Sequence, residues 1–171
     1  DEKAIFYTSL YHAAISPYTF SDADGRYRGM DQKIHQSDGK IIYTVFSLWD
    51  TLRANHPLRT IVDPERDNEF IETLLTKSDQ GGSLPMWELV ANYTGCMIGY
   101  HAVPVIVDAY KKGIRNFDIE KAYKAMLKSA EYDTTGILFP SRGVQEKLVP
   151  KGKWYNETMG FIPADLENQS V

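Results

Sequence analysis

A tryptophan and a glutamate stand side by side in the run Leu84-Pro85-Met86-Trp87-Glu88-Leu89. An aromatic ring can stack on the apolar face of a pyranose, and desolvation beside such a ring raises the pKa of a carboxyl group. A carboxyl group with a raised pKa can act as a general acid on a glycosidic oxygen. The pair could therefore bind and protonate a sugar, or it could be a core tryptophan beside a surface glutamate.

The backbone around this pair is predicted to be a loop that leads into a helix. Gly81-Gly82 and Pro85 interrupt any long helix, whereas apolar residues recur at helical spacing from about Cys96 to Lys112. Trp87 and Glu88 are therefore expected just ahead of a helix.

The same predicted helix contains a proline and a histidine. Pro104 should kink it, because proline removes one backbone hydrogen bond. His101 lies four residues before Val105 on the apolar face. It is either a semi-buried core histidine or part of a site.

A polar segment from Pro17 to Gly39 shows no apolar periodicity and is predicted to be a long irregular connection, a kind of segment that is often functional. Its aspartates include Asp22, Asp24 and Asp31. They suggest a cation-binding loop, but the ligand spacing and terminal glutamate of an EF-hand are absent. The alternative is a solvated surface loop.

Apolar residues at a period near 3.6 predict an all-α fold with five amphipathic helices. The second helix carries Trp49, Asp50 and Arg53, and the last two have the spacing of an ordinary surface ion pair. Beyond Asp133 the chain is predicted to be loop-like. The predicted helices run from Lys3 to about Ser16, from Val45 to about His56, from Pro64 to the glycine pair, from about Cys96 to Lys112, and from Asp118 through Ala130.

Composition excludes several classes of protein. The 171 residues are 43% hydrophobic and 25% charged, as in ordinary soluble domains, and a net charge of -4 argues against nucleic acid as a partner. Cys96 is the only cysteine, so no intrachain disulfide can form. No apolar run is long enough to span a membrane, and Asp1-Glu2-Lys3 is not a signal peptide, so the chain is expected to be a mature form or a piece of a longer protein.

Several blocks of sequence resemble the glycoside hydrolase family 92 α-mannosidases. Together they span nearly the whole chain. The blocks are Phe20–Asp31, Tyr43–Arg53, Leu84–Leu89, Asn92–Ile106 and Gly160–Asp165.

The resemblance implies an inverting exo-α-mannosidase that uses Ca²⁺ and acts on mannose-containing oligosaccharides or glycoprotein N-glycans. It also implies that residues 1–171 are one incomplete segment of an (α/α)6 toroid, which follows a β-sandwich and continues beyond this chain. An incomplete toroid should leave one apolar edge exposed. A periplasmic, cell-surface or secreted location is implied too. No spacing in the sequence identifies the calcium ligands.

The resemblance also implies roles for particular residues. Glu88 is expected to be the proton donor, although some members carry a glutamate at the position of Tyr93 instead. The general base is expected in a later segment. The remaining residues implied in substrate binding are Asp22, Asp24, Arg26, Trp49, Asp50, Arg53, Trp87, His101, Asn168 and Gln169.

Specificity for the glycosidic linkage is expected to depend partly on Asn168 and Gln169. Members specific for α-1,2 linkages tend to have a His-Glu pair there, so α-1,3, α-1,4 and other linkages remain open. Two further hypotheses also remain open, a non-catalytic fragment and a helical module that binds glycans without cleaving them.

Overall fold

The computed structural model describes residues 1–138 and 142–166, apart from the side chains of Arg142 and Gln145. Within these residues the chain forms eight helices and seven short strands. The helices are α1 (Glu2–Ala13), α2 (Leu48–Thr51), α3 (Asn55–Val62), α4 (Pro64–Gly81), α5 (Ala102–Lys111), α6 (Ile119–Ala130), α7 (Arg142–Leu148) and α8 (Lys151–Met159). The strands are β1 (Tyr18–Thr19), β2 (Arg26–Arg28), β3 (Ile34–Gln36), β4 (Tyr43–Thr44), β5 (Phe46–Ser47), β6 (Trp87–Leu89) and β7 (Asn92–Tyr93).

The strands form three small antiparallel sheets, so the fold is mainly helical but mixed, rather than purely all-α as predicted. β1 pairs with β4, β2 pairs with β3, and β5, β6 and β7 form a three-stranded sheet in that order. Each strand has only two or three residues, which is too short for an alternating pattern to stand out in the sequence. The segment from 17 to 39, predicted to be irregular, contains three of these strands.

The second predicted helix, starting at Val45, is also wrong in its extent. Val45 has a φ of 67°, outside the helical region, and the two residues after it form β5. The stretch that was predicted to be one helix contains two shorter ones, α2 and the start of α3. His56-Pro57, where the helix was predicted to end, lies in the first turn of α3, where proline is tolerated because its missing N–H has no helical partner.

Helix α4 is the long central helix and confirms its predicted boundaries. Asp63 accepts a hydrogen bond from the backbone N–H of Arg66, and Pro64 occupies the first turn. Gly82 ends the helix in a left-handed conformation with a φ of 86°. Its apolar face is fully buried, with Phe70 and Leu74 both at 0% exposure.

Helix α5 begins at Ala102, six residues later than Cys96. Pro104 was predicted to kink the helix, but it lies in the first turn of α5. Backbone N–H groups in the first turn have no hydrogen-bond partner within the helix, so proline removes no helical hydrogen bond there. Helix α6 confirms its prediction, with the Asp118 carboxylate capping the N–H of Lys121. The predicted loop beyond Asp133 is wrong, since α7 and α8 lie there.

The main core lies between α4, α5, α6 and the β4–β5 segment. It joins buried side chains that are far apart in sequence: Tyr43, Phe46, Leu48, Phe70, Ile71, Leu74, Leu75, Leu84, Ala102, Val105, Ile106, Ala109, Phe117 and Ala122. A second cluster contains Met30, Met86, Ala91, Tyr93, Leu148 and Val149, and it joins the loop after β2 to the β6–β7 hairpin and α7.

Helix α1 differs from the others because none of its residues is buried. Ile5, Phe6 and Tyr11 are each more than half exposed, at 66%, 62% and 67%. The expected apolar exposed surface is therefore present on this helix. Among the described residues, no helix has both the length and the apolar character to cross a bilayer.

Candidate active site

The pairing of β5 with β6 determines where Trp87 and Glu88 point. Phe46 lies opposite Glu88, and Ser47 lies opposite Trp87. Since successive strand residues face opposite sides, Phe46 and Glu88 enter the core while Ser47 and Trp87 lie half-buried on the outer face. The two neighbours that the sequence grouped into one site are thus separated by the sheet.

Three predicted site residues come together next to strand β5: Trp49, Arg53 and His101. We call them the Trp49 cluster. The Trp49 and His101 rings lie 5.1 Å apart between centroids, and the Arg53 guanidinium carbon is 4.8 Å from the Trp49 ring centroid. Helix α2 and the turn after it supply the first two, and His101 precedes α5, so the cluster joins segments about 50 residues apart.

Asp50 adjoins the Trp49 cluster and connects it with the strand that carries Trp87. The Ser47 hydroxyl donates a hydrogen bond of 2.5 Å to an Asp50 carboxylate oxygen, and Ser47 is the strand partner of Trp87. The spacing of Asp50 and Arg53 allowed a surface ion pair as the alternative to a role in substrate binding. In the structure Asp50 instead accepts from Ser47, and the Arg53 side chain lies over Trp49 and donates to its carbonyl at 3.4 Å.

The environment of His101 favours the neutral form of its ring. Burial lowers its pKa, and the positive charge of Arg53 lowers it further. Its Nε2 atom is buried, and no hydrogen-bond partner for it occurs among the described residues. Gly99, at a φ of 82°, leaves room for this ring, because a Cβ atom there would come within 2.8 Å of Nε2.

The predicted binding residues of the 21–31 loop lie apart from this cluster. Asp24 and Arg26 pair with each other at 2.6 Å and are both exposed. Hydrogen bonds from Arg26, first from its backbone N–H and then from its side chain, lower the pKa of Asp24. Asp22 is exposed on the same loop. Within the described residues, no recorded contact brings Asp22, Asp24 or Arg26 to the Trp49 cluster.

The base of the same loop is held against the β6–β7 hairpin. Arg28 donates to the Val90 carbonyl at 2.7 Å, and Gln32 donates to the Ala91 carbonyl at 2.8 Å. A cleft of about 360 Å³ opens between loop and hairpin, and Asp31 lines it.

Asn92 also lines this cleft, and the sequence did not mark it as a site residue. Asn92 follows the β6–β7 turn, and its side-chain amide donates to the Val90 carbonyl at 2.9 Å. Asn92 begins the Asn92–Ile106 block that resembles the family, but only the hairpin brings it to the same cleft as Asp31.

Glu88 is completely buried, with 0% exposure. Its carboxylate accepts hydrogen bonds from the Thr44 hydroxyl at 3.0 and 3.1 Å, the Val45 N–H at 3.1 Å and the Ala91 N–H at 2.6 Å. Lys77 completes the set with an ion pair at 2.8 Å. A general acid must come within hydrogen-bond reach of the leaving oxygen. The observed position of Glu88 therefore does not support the predicted proton-donor role.

Tyr93 occupies the position where some family members are expected to carry glutamate. It is buried, and its hydroxyl donates to the Ser83 carbonyl at 2.5 Å. Burial raises the pKa of Tyr93, so the phenol keeps its proton at neutral pH. Like its strand partner Glu88, it points into the core.

The described residues do not identify the calcium ligands that the resemblance implies. Among them, no three side chains of His, Cys, Asp or Glu lie close enough together to hold a metal ion. Asp24, one of the loop aspartates, is already paired with Arg26. Asn168 and Gln169, the residues expected to influence linkage specificity, lie outside the described residues.

The half-buried Trp49 ring beside Arg53 and His101 combines an apolar aromatic face with hydrogen-bonding groups. The sequence profile of the glycosyl hydrolase family 92 catalytic domain matches residues 1–171. This chain therefore belongs to glycoside hydrolase family 92. Comparison with curated proteins gives no match.

Solved structures of the same family are similar to this chain. The family GH92 alpha-mannosidase BT3965 from Bacteroides thetaiotaomicron shares 39% identity over 95% of this chain, with a TM-score of 0.78, and has also been solved in complex with mannoimidazole. The family GH92 inverting mannosidase BT2199 from Bacteroides thetaiotaomicron VPI-5482 shares 30% identity over 95% of this chain, also with a TM-score of 0.78. The chain spans about a fifth of the length of each, 20% and 21% respectively.

Proposed function

We propose that this chain is part of the catalytic domain of an enzyme that hydrolyses α-mannosides and releases mannose. Family membership supports the reaction class, and a similar structure named as an alpha-mannosidase binds mannoimidazole. The Trp49 cluster is the observation that carries the proposal for this chain. It combines aromatic surface with hydrogen-bonding groups, as recognition of a sugar ring requires.

Each member of the site has a distinct physical role in this proposal. Trp49 and Trp87 offer aromatic surface to the apolar C–H face of mannose. Arg53 supplies hydrogen-bond donors, and the Asp50 carboxylate accepts from sugar hydroxyls. The lowered pKa of His101 keeps its ring neutral, so that it can donate through one nitrogen and accept through the other.

The proposed reaction is inverting hydrolysis, the mechanism named for one of the similar structures. An inverting glycosidase needs an acid and a base roughly 6.5–9.5 Å apart, with a water between the base and the sugar. We assign substrate binding to the Trp49 cluster and neither catalytic carboxylate to Glu88. Ca²⁺ dependence stays a prediction from the family, and no cluster of three His, Cys, Asp or Glu side chains among the described residues would hold the ion.

The complete domain is expected to be larger than this chain and to act outside the cytoplasm. We propose that the helices belong to an (α/α)6 toroid in the complete domain, with α1 covered by other parts of it, because α1 buries none of its own residues. N-glycans and mannans are the proposed substrates, and the proposed location is the periplasm, the cell surface or outside the cell. The glycosidic linkage that is cleaved stays open.

A glycan-binding module without catalytic activity is the second candidate. One observation favours it: the predicted proton donor is completely buried and ion-paired. A module of this kind would hold mannosides at the Trp49 cluster without turning them over.

The test is to assay the full-length gene product with mannobioses of defined linkage and with methyl α-mannoside. We expect release of mannose, first seen by NMR as the β-anomer because the mechanism inverts. Trp49→Ala should lower kcat/KM by about 10- to 100-fold, since it removes an aromatic contact worth roughly 1.5–3 kcal/mol. Trp49→Phe should retain most of the activity.

Trp154→Ala provides the matched control, because Trp154 is an exposed tryptophan that packs on Tyr155 in α8. We expect its kinetics to match those of the unmodified protein, and thermal unfolding of each variant separates loss of binding from loss of folding. Mannoside binding without turnover would establish the binding module instead. If the protein neither binds nor hydrolyses mannosides, both candidate functions are overturned.

A further inference from the structure

Three residues without glycine's conformational freedom occupy the left-handed region of the backbone around Glu88. Val45, between β4 and β5, has a φ of 67°, and Val90 and Ala91, between β6 and β7, have φ values of 50° and 59°. Valine is strained there because its branched side chain crowds the backbone. Val90 and Ala91 form a two-residue hairpin turn, which usually contains asparagine and glycine, whereas Val45 forms a one-residue turn between strands of two different sheets. Other interactions must therefore stabilise both turns.

The Glu88 carboxylate and its hydroxyl partner bind the backbone N–H of all three residues. Glu88 accepts directly from Val45 at 3.1 Å and from Ala91 at 2.6 Å. Thr44 donates its hydroxyl to Glu88 and accepts from the Val90 N–H at 2.8 Å. One buried carboxylate thus connects two turns that are about 45 residues apart in the sequence.

Lys77 balances the charge of this carboxylate. The side chains of Lys77 and Glu88 are only 2% and 0% exposed, and the Nζ–Oε1 distance is 2.8 Å. Burial lowers the pKa of Lys77, whereas Glu88 raises it. Removing one member of a buried pair is strongly destabilising, because the other charge is left without a partner. The pair also ties both turns to α4, the central helix of the core.

The two turns position Trp87 and the 21–31 loop. Because Glu88 is held inward, its neighbour Trp87 is held on the outer face opposite Ser47, which binds Asp50. The carbonyls of Val90 and Ala91 anchor the 21–31 loop through Arg28 and Gln32. A shift of this hairpin would therefore move Trp87 and the loop together.

We propose that Glu88 is a positioning residue whose carboxylate, balanced by Lys77, fixes the β4–β5 and β6–β7 turns and thereby places Trp87 and the 21–31 loop for substrate. The consequence for turnover rests on the function proposed above. The consequence for the turns does not. Glu88 has no contact with substrate in this role, in contrast to the predicted proton donor.

The experiment compares Glu88→Gln with the double variant Lys77→Met/Glu88→Gln in the full-length gene product. Glu88→Gln should lower turnover of an alkyl and a nitrophenyl α-mannoside by the same factor, to within about twofold, because geometry is lost rather than a proton. The double variant should regain part of both turnover and Tm, since it removes the unpaired buried ammonium. Glu72→Gln is the control, because Glu72 lies on α4 like Lys77 but forms its ion pair at the surface, with Lys40 of the segment before β4.

Selective loss of alkyl mannoside turnover, without rescue in the double variant, would overturn the proposal and establish Glu88 as the proton donor. Hydrogen exchange of the 87–93 segment gives an answer that does not depend on activity. Glu88→Gln should accelerate exchange of the Val90 and Ala91 amides by at least about tenfold, whereas Glu72→Gln should leave it unchanged. Unchanged exchange in Glu88→Gln would overturn the proposal. If the unmodified protein hydrolyses no mannoside but this acceleration is observed, the proposed function fails and the positioning of the turns stands.

Discussion

At the scale of single residues, the role of a side chain depends on which face of the sheet it lies on. Trp87 and Glu88 are neighbours, yet one lies on the outer face and the other forms a buried ion pair with Lys77. Trp49 and His101 are 52 positions apart, yet their rings lie 5.1 Å from each other. The candidate site is therefore defined by contacts between segments.

The titration of His101 is a prediction at this scale. Burial and the charge of Arg53 lower its pKa, so Arg53→Met should raise that pKa toward the ordinary value, as an NMR titration of the imidazole would show. Since the folded-state pKa lies below the unfolded value of about 6.5, the unfolded chain binds the proton first as pH falls. Protonation of His101 thus lowers stability below about pH 6.5, and this loss should be smaller in Arg53→Met.

Arg115→Met is the control for this titration, because Arg115 lies over a different aromatic ring, that of Tyr110. Its effect on the His101 pKa should be negligible. An unchanged His101 titration in Arg53→Met would contradict the electrostatic role given to Arg53.

At the scale of elements, helices with strong local signals form where the sequence places them, whereas strands depend on their partners. Helix α4 begins after Asp63 and ends at Gly82, and α6 begins after Asp118. Strand β5 has two residues and, within the described part of the chain, pairs only with β6, which lies about 40 residues further along the chain. The left-handed Val45, just before β5, is held from outside by Glu88.

The glycine that ends α4 gives a prediction at the element scale. Gly82 has a φ of 86°, and a Cβ atom there would lie 2.1 Å from the Gly136 carbonyl oxygen. Gly82→Ala should therefore destabilise the fold by more than the roughly 1 kcal/mol that a left-handed alanine costs. Urea unfolding measures the difference.

Gly113→Ala is the matched control, because Gly113 also has a positive φ, 92°, but no atom lies within 4 Å of the added Cβ position. It should cost only the backbone term of roughly 1 kcal/mol. Equal losses in the two variants would show that the contact with Gly136 does not matter.

At the scale of the whole molecule, the distribution of apolar side chains separates a packed core from an uncovered helix. Helix α4 is surrounded by α3, α5 and α6, while α1 presents isoleucine, phenylalanine and tyrosine to the surface. The chain spans about a fifth of the similar mannosidase structures, 20% of one of them. The exposed face of α1 is consistent with the proposed packing of this helix against other parts of the complete domain.

Two phenylalanines test this distinction in the isolated chain. Phe70→Ala should cost about 3–5 kcal/mol, because Phe70 is 0% exposed in the core. Phe6→Ala should change stability by less than about 0.5 kcal/mol, since Phe6 is 62% exposed on α1. In the full-length gene product, Phe6→Ala should become destabilising. A large loss from Phe6→Ala in the isolated chain would contradict the uncovered position of α1.

The sequence by itself determined the family, the boundaries of α4 and α6, and the stretch that carries Trp49, Asp50 and Arg53. These depend on residue identity, on capping groups and on helical periodicity, which act over a few neighbouring positions. The family resemblance also named all three side chains that the Trp49 cluster brings together. Local order and composition are sufficient for such features.

Only the tertiary structure decided the strands, the cluster itself and the orientation of Glu88. A strand of two residues has no detectable period, and its face is set by the register with its partner. The left-handed conformations of Val45 and Val90 run against local preference. They persist because each N–H is bound by a side chain from the other segment, Val45 by Glu88 and Val90 by Thr44. Such long-range hydrogen bonds are not encoded in any short stretch of sequence, so they become visible only when the chain is folded.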